Sequence, residues 1–375
     1  MFETSADRSN TNAEKYTKRK KLFGTNDVLP LWVADMDLDT PSFILDALKK
    51  RLEHPILGYE EMPNSAFEAQ IAWMKKHHNL ELKQEHMFFS PSVLTSLNLL
   101  IQTFSEEEDE IIIQTPVYGA FANSILKNNR KVLENPLLEK NGDYTFDFGD
   151  LEKNITERTK LLILCSPHNP VGRVWTKGEL LKLASICLKH NVIVIADEIH
   201  CDLSFKKHTP FASLSKEIAE QTITLLSPAK TFNISGLAIS TISIDNQVLR
   251  EKFKKTYEAT YLGEGNLLAH VAFQSAYTHG EEWLDLLKKH LLENIFILRE
   301  QVKKNKSKIK FKTPEATFLL WLDCRELNLD DDQFHQYFIN KKLGLSQGIS
   351  FGTGGMGYMR LNVAVSKKII NTIKL

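Results

Sequence analysis

The chain has 375 residues, 42% of them apolar and 25% charged, enough for more than one domain and for a core that hides a site from water. Forty-seven basic residues offset forty-seven acidic ones, so charge gives no support for nucleic acid or an anionic membrane as the main partner. The N-terminus MFETSADRSNTNAEKYTKRKK has no apolar h-region, and no apolar run approaches the roughly 20 residues of a bilayer span. A cytoplasmic protein is therefore expected.

In chain order, the basic stretch 15–21, KYTKRKK, reads as a solvated face. The acidic run Glu106–Glu110 reads as a surface turn entering a strand at 111–113. Further apolar runs at 161–165 (LLILC), 192–196 (VIVIA) and 222–226 (TITLL) read as buried strands. Between the second and third of these four, KGELLKLASICLKHN has the apolar spacing of an amphipathic helix ending near Asn191. Buried strands alternating with helices predict a largely parallel α/β sheet covered on both faces. This large domain is expected over about 50–285. Beyond it, 281–304 reads as a long charged helix, FKTPEATFLLWLDC as a strand, 331–341 as a helix, and YMRLNVAV as a strand after a glycine-rich loop. These residues form a smaller α+β domain, 286–375, which the N-terminal arm 1–49 joins. The cysteines Cys165, Cys187, Cys201 and Cys324 form no C-x-x-C pair. They are expected as reduced, mostly buried thiols.

Three of the buried strands end in polar clusters. Ser166-Pro167-His168-Asn169-Pro170 follows LLILC, Asp197-Glu198-Ile199-His200 follows VIVIA, and Ser227-Pro228-Ala229-Lys230 follows TITLL. Each alone is an ordinary turn or cap. Ligands of open parallel sheets bind outside the carboxyl ends of the strands, so three such clusters can converge on one ligand.

Two other patterns carry less. Residues 352–357, GTGGMG, satisfy G-x-G-x-x-G, but a dinucleotide fingerprint needs a following helix and an acidic residue about 20 positions on. Only 18 residues follow Gly357, and the next segment is strand-like, so a flexible loop serving Arg360 is expected instead. His77-His78 has no acidic or cysteine partner at metal spacing and reads as a surface helix end.

The sequence resembles fold-type I pyridoxal 5′-phosphate (PLP) enzymes, and within them the MalY/PatB, cystathionine β-lyase-like family. The residues that carry the resemblance are PLWVADMD at 30–37, GYE at 58–60, PVYGAF at 116–121, SPHNPVGRVW at 166–175, ADEIHCDL at 196–203, SPAKTFNISGL at 227–237 and YMRLNVA at 358–364. They span most of the chain. The resemblance implies a mostly parallel seven-stranded sheet between helices plus the smaller domain, and a homodimer with shared active sites.

It also implies roles. Lys230 carries PLP as a Schiff base and takes the substrate Cα proton, a job for a lysine pushed toward its neutral form. Asp197 keeps the pyridine nitrogen protonated. Asn169 donates to the phenolic oxygen, and Tyr118 stacks on the ring. Phosphate falls to Ser227 and to Ser92, Val93 and Leu94 at a helix start, with Tyr59 reaching in from the neighbouring subunit. Arg360 clamps the substrate carboxylate, and Ala34 and Asp35 lie beside the substrate. His200 is either a donor near the cofactor oxygen or a packing histidine.

There are departures: Ala238 stands where many relatives carry a phosphate-binding arginine, His200 where many carry tyrosine, Ser166 where asparagine is frequent and Leu38 where phenylalanine is common. The expected reaction is β-elimination from cystathionine or another S-substituted cysteine, giving thiol, pyruvate and ammonia. The alternatives are a PLP-dependent aminotransferase and a PLP-binding regulatory protein.

Overall fold

The computed structural model describes residues 2–4, 6–8, 10–262 and 265–375. Its centre is a seven-stranded sheet built from β1 (Met87–Ser90), β2 (Glu110–Ile113), β3 (Lys131–Glu134), β4 (Thr159–Cys165), β5 (Ile193–Asp197), β6 (Thr222–Leu226) and β7 (Ser240–Ile244). The strand order is β1-β7-β6-β5-β4-β2-β3. β7 runs antiparallel to both β1 and β6. All other neighbours are parallel. The four strands expected from sequence are β2, β4, β5 and β6; β1, β3 and β7 are short or polar enough to leave no continuous apolar run.

The central strands read as continuous apolar runs because both their faces are covered. Leu162 and Leu164 of β4, with Val194 and Ala196 of β5, pack against Leu180, Leu183, Ala184 and Cys187 of the helix Lys177–Lys189. On the other face Leu161, Ile163 and Ile195 pack with Leu97, Leu100 and Ile101 of the helix Val93–Phe104. Truncating one of these fully buried leucines to alanine costs about 2–5 kcal/mol. The helix Lys177–Lys189 starts at a capping box in which Thr176 accepts from the Glu179 N–H and Glu179 accepts from the Thr176 N–H. Its loss costs about 1 kcal/mol.

The C-terminal part holds the long helix Glu281–Lys304 and an antiparallel sheet of β8 (Leu319–Asp323), β9 (Ser346–Gln347) and β10 (Tyr358–Asn362), ordered β8-β10-β9. The helix Asp331–Asn340 connects β8 to β9 and has its own capping box, Asp330 with Gln333. The N-terminal arm reaches this part. Leu29–Pro30 pairs in parallel with Leu343–Gly344, and Phe2 packs on Trp283 and His290. The last helix is short, Lys367–Ile370. All four cysteines are free and buried.

Three local expectations need correction. Lys15 is not on a solvated face: its side chain is fully buried against Asp35 and Asp37. His78 is not a bare helix end, because its Nε2 lies 2.7 Å from the buried Asp202 carboxylate, a partner supplied from 124 residues away. The loop 348–357 is a packed turn rather than a flexible one. A Cβ on Gly348 would sit 2.0 Å from the Gly355 carbonyl, and Gly352, Gly354 and Gly357 take positive φ where side chains are disfavoured. The segment after it is β10, so the dinucleotide pattern has no helix to act on.

Candidate active site

Strand register brings the polar clusters together. Cys165 at the end of β4 is paired with Asp197 at the end of β5, and Asp197 is paired with Leu225 of β6, five residues before Lys230. The clusters therefore leave the carboxyl ends of adjacent central strands. Arg360 comes from β10, between Trp321 and Ser346 in the register.

Lys230 Nζ donates to the Ala34 carbonyl at 2.7 Å. Burial pulls its pKa below the usual lysine value; Arg360 adds to this, while Asp35 and Asp197 oppose it. Asp197 is buried and accepts from the Ile199 N–H at 3.2 Å. Desolvation raises its carboxyl to about 7, against the opposing Ile199 bond and the Lys230 charge. A carboxylate buried this way lacks a close cation, which is the environment a protonated ring nitrogen would complete.

Arg360 is buried and donates through Nη1 to Asn169 Oδ1 at 3.1 Å, and through Nη2 to the Trp32 carbonyl at 2.7 Å and Ser346 Oγ at 3.3 Å. Its guanidinium lies over Phe351, 4.9 Å from the ring centre, and its Nε has no partner. Desolvation lowers its pKa to about 10, so it stays cationic at neutral pH without a carboxylate against it. Because Arg360 occupies Asn169 Oδ1, the Asn169 amide nitrogen is the end left to donate elsewhere.

His200 is buried and its Nδ1 is unpartnered. Desolvation, with Lys230 and Arg360 adding to it, drives its pKa to about 3, so the ring is neutral. It stands edge-on to Phe318. Tyr118 is part-exposed and packs edge-to-face with Phe121. Burial raises its hydroxyl pKa, and Arg360, Asp197 and Glu14 all act on it, which sets it at the mouth of the same site.

Ser92 caps the helix Val93–Phe104, accepting from the Thr95 N–H. Val93 and Leu94 lie in the first turn, whose N–H groups a helix leaves without an internal carbonyl. The Ser227 hydroxyl donates to the Ile239 carbonyl at 2.7 Å and accepts from the Ala229 N–H, and so shapes the turn into Lys230. Tyr59 is exposed and makes no contribution to this site within one chain.

Several residues outside the expected set hold the site. Asn362 Nδ2 donates to the carbonyls of Val33 and Asp35. Asn233 Nδ2 donates to those of Met36 and Leu38, and its Oδ1 accepts from the Met36 N–H. Both lie inside the strings that carried the resemblance, three residues after Lys230 and two after Arg360. Asp202 accepts from Trp73 Nε1 at 2.9 Å and from the hydroxyl of Thr231, next to Lys230, at 3.1 Å. Although burial pushes the Asp202 carboxyl up, His78, the Trp73 N–H and the Lys288 charge hold it down at about 2.

Comparison with known proteins shows the family. The family model for aminotransferase class I and II matches residues 26–372. Cystathionine beta-lyase PatB of Bacillus subtilis is 42% identical over 369 residues, covering 97% of this chain and 95% of PatB. A PLP-bound protein of Clostridium difficile 630, described among the aminotransferases, superposes with a TM-score of 0.97 at 41% identity, covering 99% and 97% of the two chains. The PLP-bound C-S lyase of Staphylococcus hominis superposes with a TM-score of 0.93 at 34% identity, covering 99% and 95%. The chain belongs to the aminotransferase class I and II family.

Proposed function

We propose that the chain is a PLP-dependent carbon–sulfur β-lyase that converts cystathionine or another S-substituted cysteine to a thiol, pyruvate and ammonia. The observation that carries this reading is the meeting of Lys230, Asp197 and Asn169, at the carboxyl ends of central strands, with Arg360 of the small sheet. The names of PatB and of the S. hominis C-S lyase favour elimination over amino transfer.

The residues fit the cofactor. Lys230 would bind it covalently, Asp197 would face its ring nitrogen, the Asn169 amide nitrogen would meet its phenolic oxygen, and Tyr118 would cover its ring. The Val93 and Leu94 N–H groups, with Ser92, would meet its phosphate. His200, neutral and with a free nitrogen, is suited to a hydrogen bond near the ring. When bound, PLP supplies an electron sink for the pair left behind at the substrate Cα.

The chain's own residues do the rest. Arg360 fixes the α-carboxylate and thereby the orientation of the Cα–H bond. Lys230, kept toward neutrality by burial, is the base that removes the Cα proton. Asp197 would keep a proton on the ring nitrogen, which is what would make the sink effective. The carbonyls of Trp32 and Ala34 hold Arg360 and Lys230 at the substrate face.

The reading extends to a homodimer in the cytoplasm. The exposed residues Ile56, Leu57 and Tyr59 suit a subunit contact in which Tyr59 reaches the other copy's phosphate, and four free thiols suit a reducing compartment. Residues 50–285 would act as the cofactor-binding domain and 1–49 with 286–375 as the smaller one, in keeping with where the two sheets lie. Among the described residues no helix is long and apolar enough to cross a membrane.

The test is to incubate the purified protein with cystathionine and assay pyruvate and free thiol. Both should appear in equal amounts. Keto-acid-dependent amino transfer without pyruvate would overturn the lyase reading.

A further inference from the structure

The N-terminal arm places two cations beside the active site. Arg8 Nη2 meets Asp35 Oδ2 at 2.9 Å, and its Nη1 meets Asp37 Oδ1 at 2.7 Å and the Met36 carbonyl at 3.3 Å. Lys15 Nζ meets Asp35 Oδ1 at 3.0 Å, Asp37 Oδ2 at 2.9 Å and the Asp35 carbonyl at 3.2 Å. Lys15 and Asp37 are 0% and 3% exposed, so this four-membered, charge-balanced cluster is removed from water on its inner side. The Lys15 carbonyl in turn accepts from Trp32 Nε1 at 3.1 Å.

The segment gripped by this cluster is the one that touches the chemistry. The Trp32 carbonyl holds Arg360 and the Ala34 carbonyl holds Lys230. Asp35 also acts electrostatically on Lys230. Burial alone would raise the Asp35 carboxyl; the Lys15 and Arg8 charges overcome it and keep it anionic.

We propose that Arg8 and Lys15 are positioning residues: the arm is a strap that holds Trp32–Asp37 against Lys230 and Arg360 and cancels the charge of Asp35 beside Lys230. This rests on the functional reading of Lys230 given above. The charged and titratable groups facing Lys230 are Asp35, Asp197, Arg360 and His200. Besides Arg8 and Lys15, Tyr16 faces the cluster from the arm through Asp37, with Arg19 over its ring.

The experiment uses the full-length holoenzyme and the variants Lys15→Met and Lys15→Met/Asp37→Asn. Removing Lys15 leaves one uncancelled negative charge, which favours the cationic form of the nitrogen on Lys230. The pH midpoint of the bound cofactor's visible absorption should therefore rise by about one unit, the size expected of a nearby buried charge. kcat should fall at least tenfold, with KM rising because Arg360 loses its anchored carbonyl. The double variant is charge-balanced again and should return the midpoint to the parent value. A purely structural role for Lys15 would lower activity in both variants without moving the midpoint, and that result, or parent behaviour in Lys15→Met, overturns the proposal. Should Lys15→Met fail to accumulate, Arg8→Gln, at a 26% exposed site, carries the same test with a smaller shift. Absence of the cofactor band from the unmutated protein would overturn the functional reading instead. The strap is then read from the pH midpoint of Lys230 acylation, followed by mass spectrometry, in the same variants.

Discussion

Replacing Asp197 by asparagine should stabilise the cofactor-free protein while abolishing its chemistry. The Asp197 carboxyl is raised by burial from an ordinary 3.8 to about 7. Below about pH 4 the folded and unfolded chains are both protonated there, and the residue carries no ionisation penalty. Between about 4 and 7 the unfolded chain releases its proton while the folded chain retains it. Stability then falls with rising pH, by about 1.36 kcal/mol per unit. Above about pH 7 the loss is constant, at roughly 4 kcal/mol. Asparagine cannot ionise, so Asp197→Asn should match the parent near about pH 3 and exceed it by up to about 4 kcal/mol at about pH 8. Urea denaturation of the two cofactor-free proteins across this range, followed by tryptophan fluorescence, measures the difference directly. PLP should reverse the order, because only the carboxylate rewards a protonated ring nitrogen. A variant less stable than the parent at pH 8, or a difference that does not change with pH, would refute the reasoning.

Lys230→Ala should lose the visible cofactor absorption and drop kcat by at least about 1000-fold, since both the attachment point and the Cα base disappear; absorption retained after dialysis would show that another lysine holds the cofactor. Arg360→Lys keeps the charge but loses the planar fork, and should raise KM on the order of 100-fold with a smaller effect on kcat, read from steady-state kinetics. Asp202→Ala leaves Trp73, His78 and Thr231 without their shared acceptor and should cost about 3–5 kcal/mol, visible as a lower melting temperature. Gly348→Ala forces a Cβ against the Gly355 carbonyl. It should shift β10 and weaken substrate binding through Arg360, detectable as a raised KM.

The part of the fold legible in the sequence is the part whose physics is local. LLILC, VIVIA and TITLL are continuous apolar runs because both faces of β4, β5 and β6 are covered, and burial leaves that mark in any sequence. β3 (KVLE) lies at the edge of the sheet and is only partly buried, so its residues alternate weakly and gave no such mark. The polar clusters stood out because each follows a readable strand. The strap did not, since Lys15 lies among exposed basic residues of the arm and its acidic partners are 20 and 22 positions away. His78 was misread for the same reason: Asp202 is its neighbour only after the chain has folded.

The hydrogen bond from Arg360 to Asn169 joins a strand of the small sheet to the end of a strand of the large one. One end of Asn169 accepts from the guanidinium that would receive a substrate, and the other is left free to donate to the proposed cofactor. A change in the spacing of the two halves is thus felt at this amide. Any substitution that tilts one sheet against the other, however distant, must lengthen that bond or drag the amide with it. Affinity and cofactor electronics should then drift together, so that a remote variant with altered KM is also one whose colour has changed.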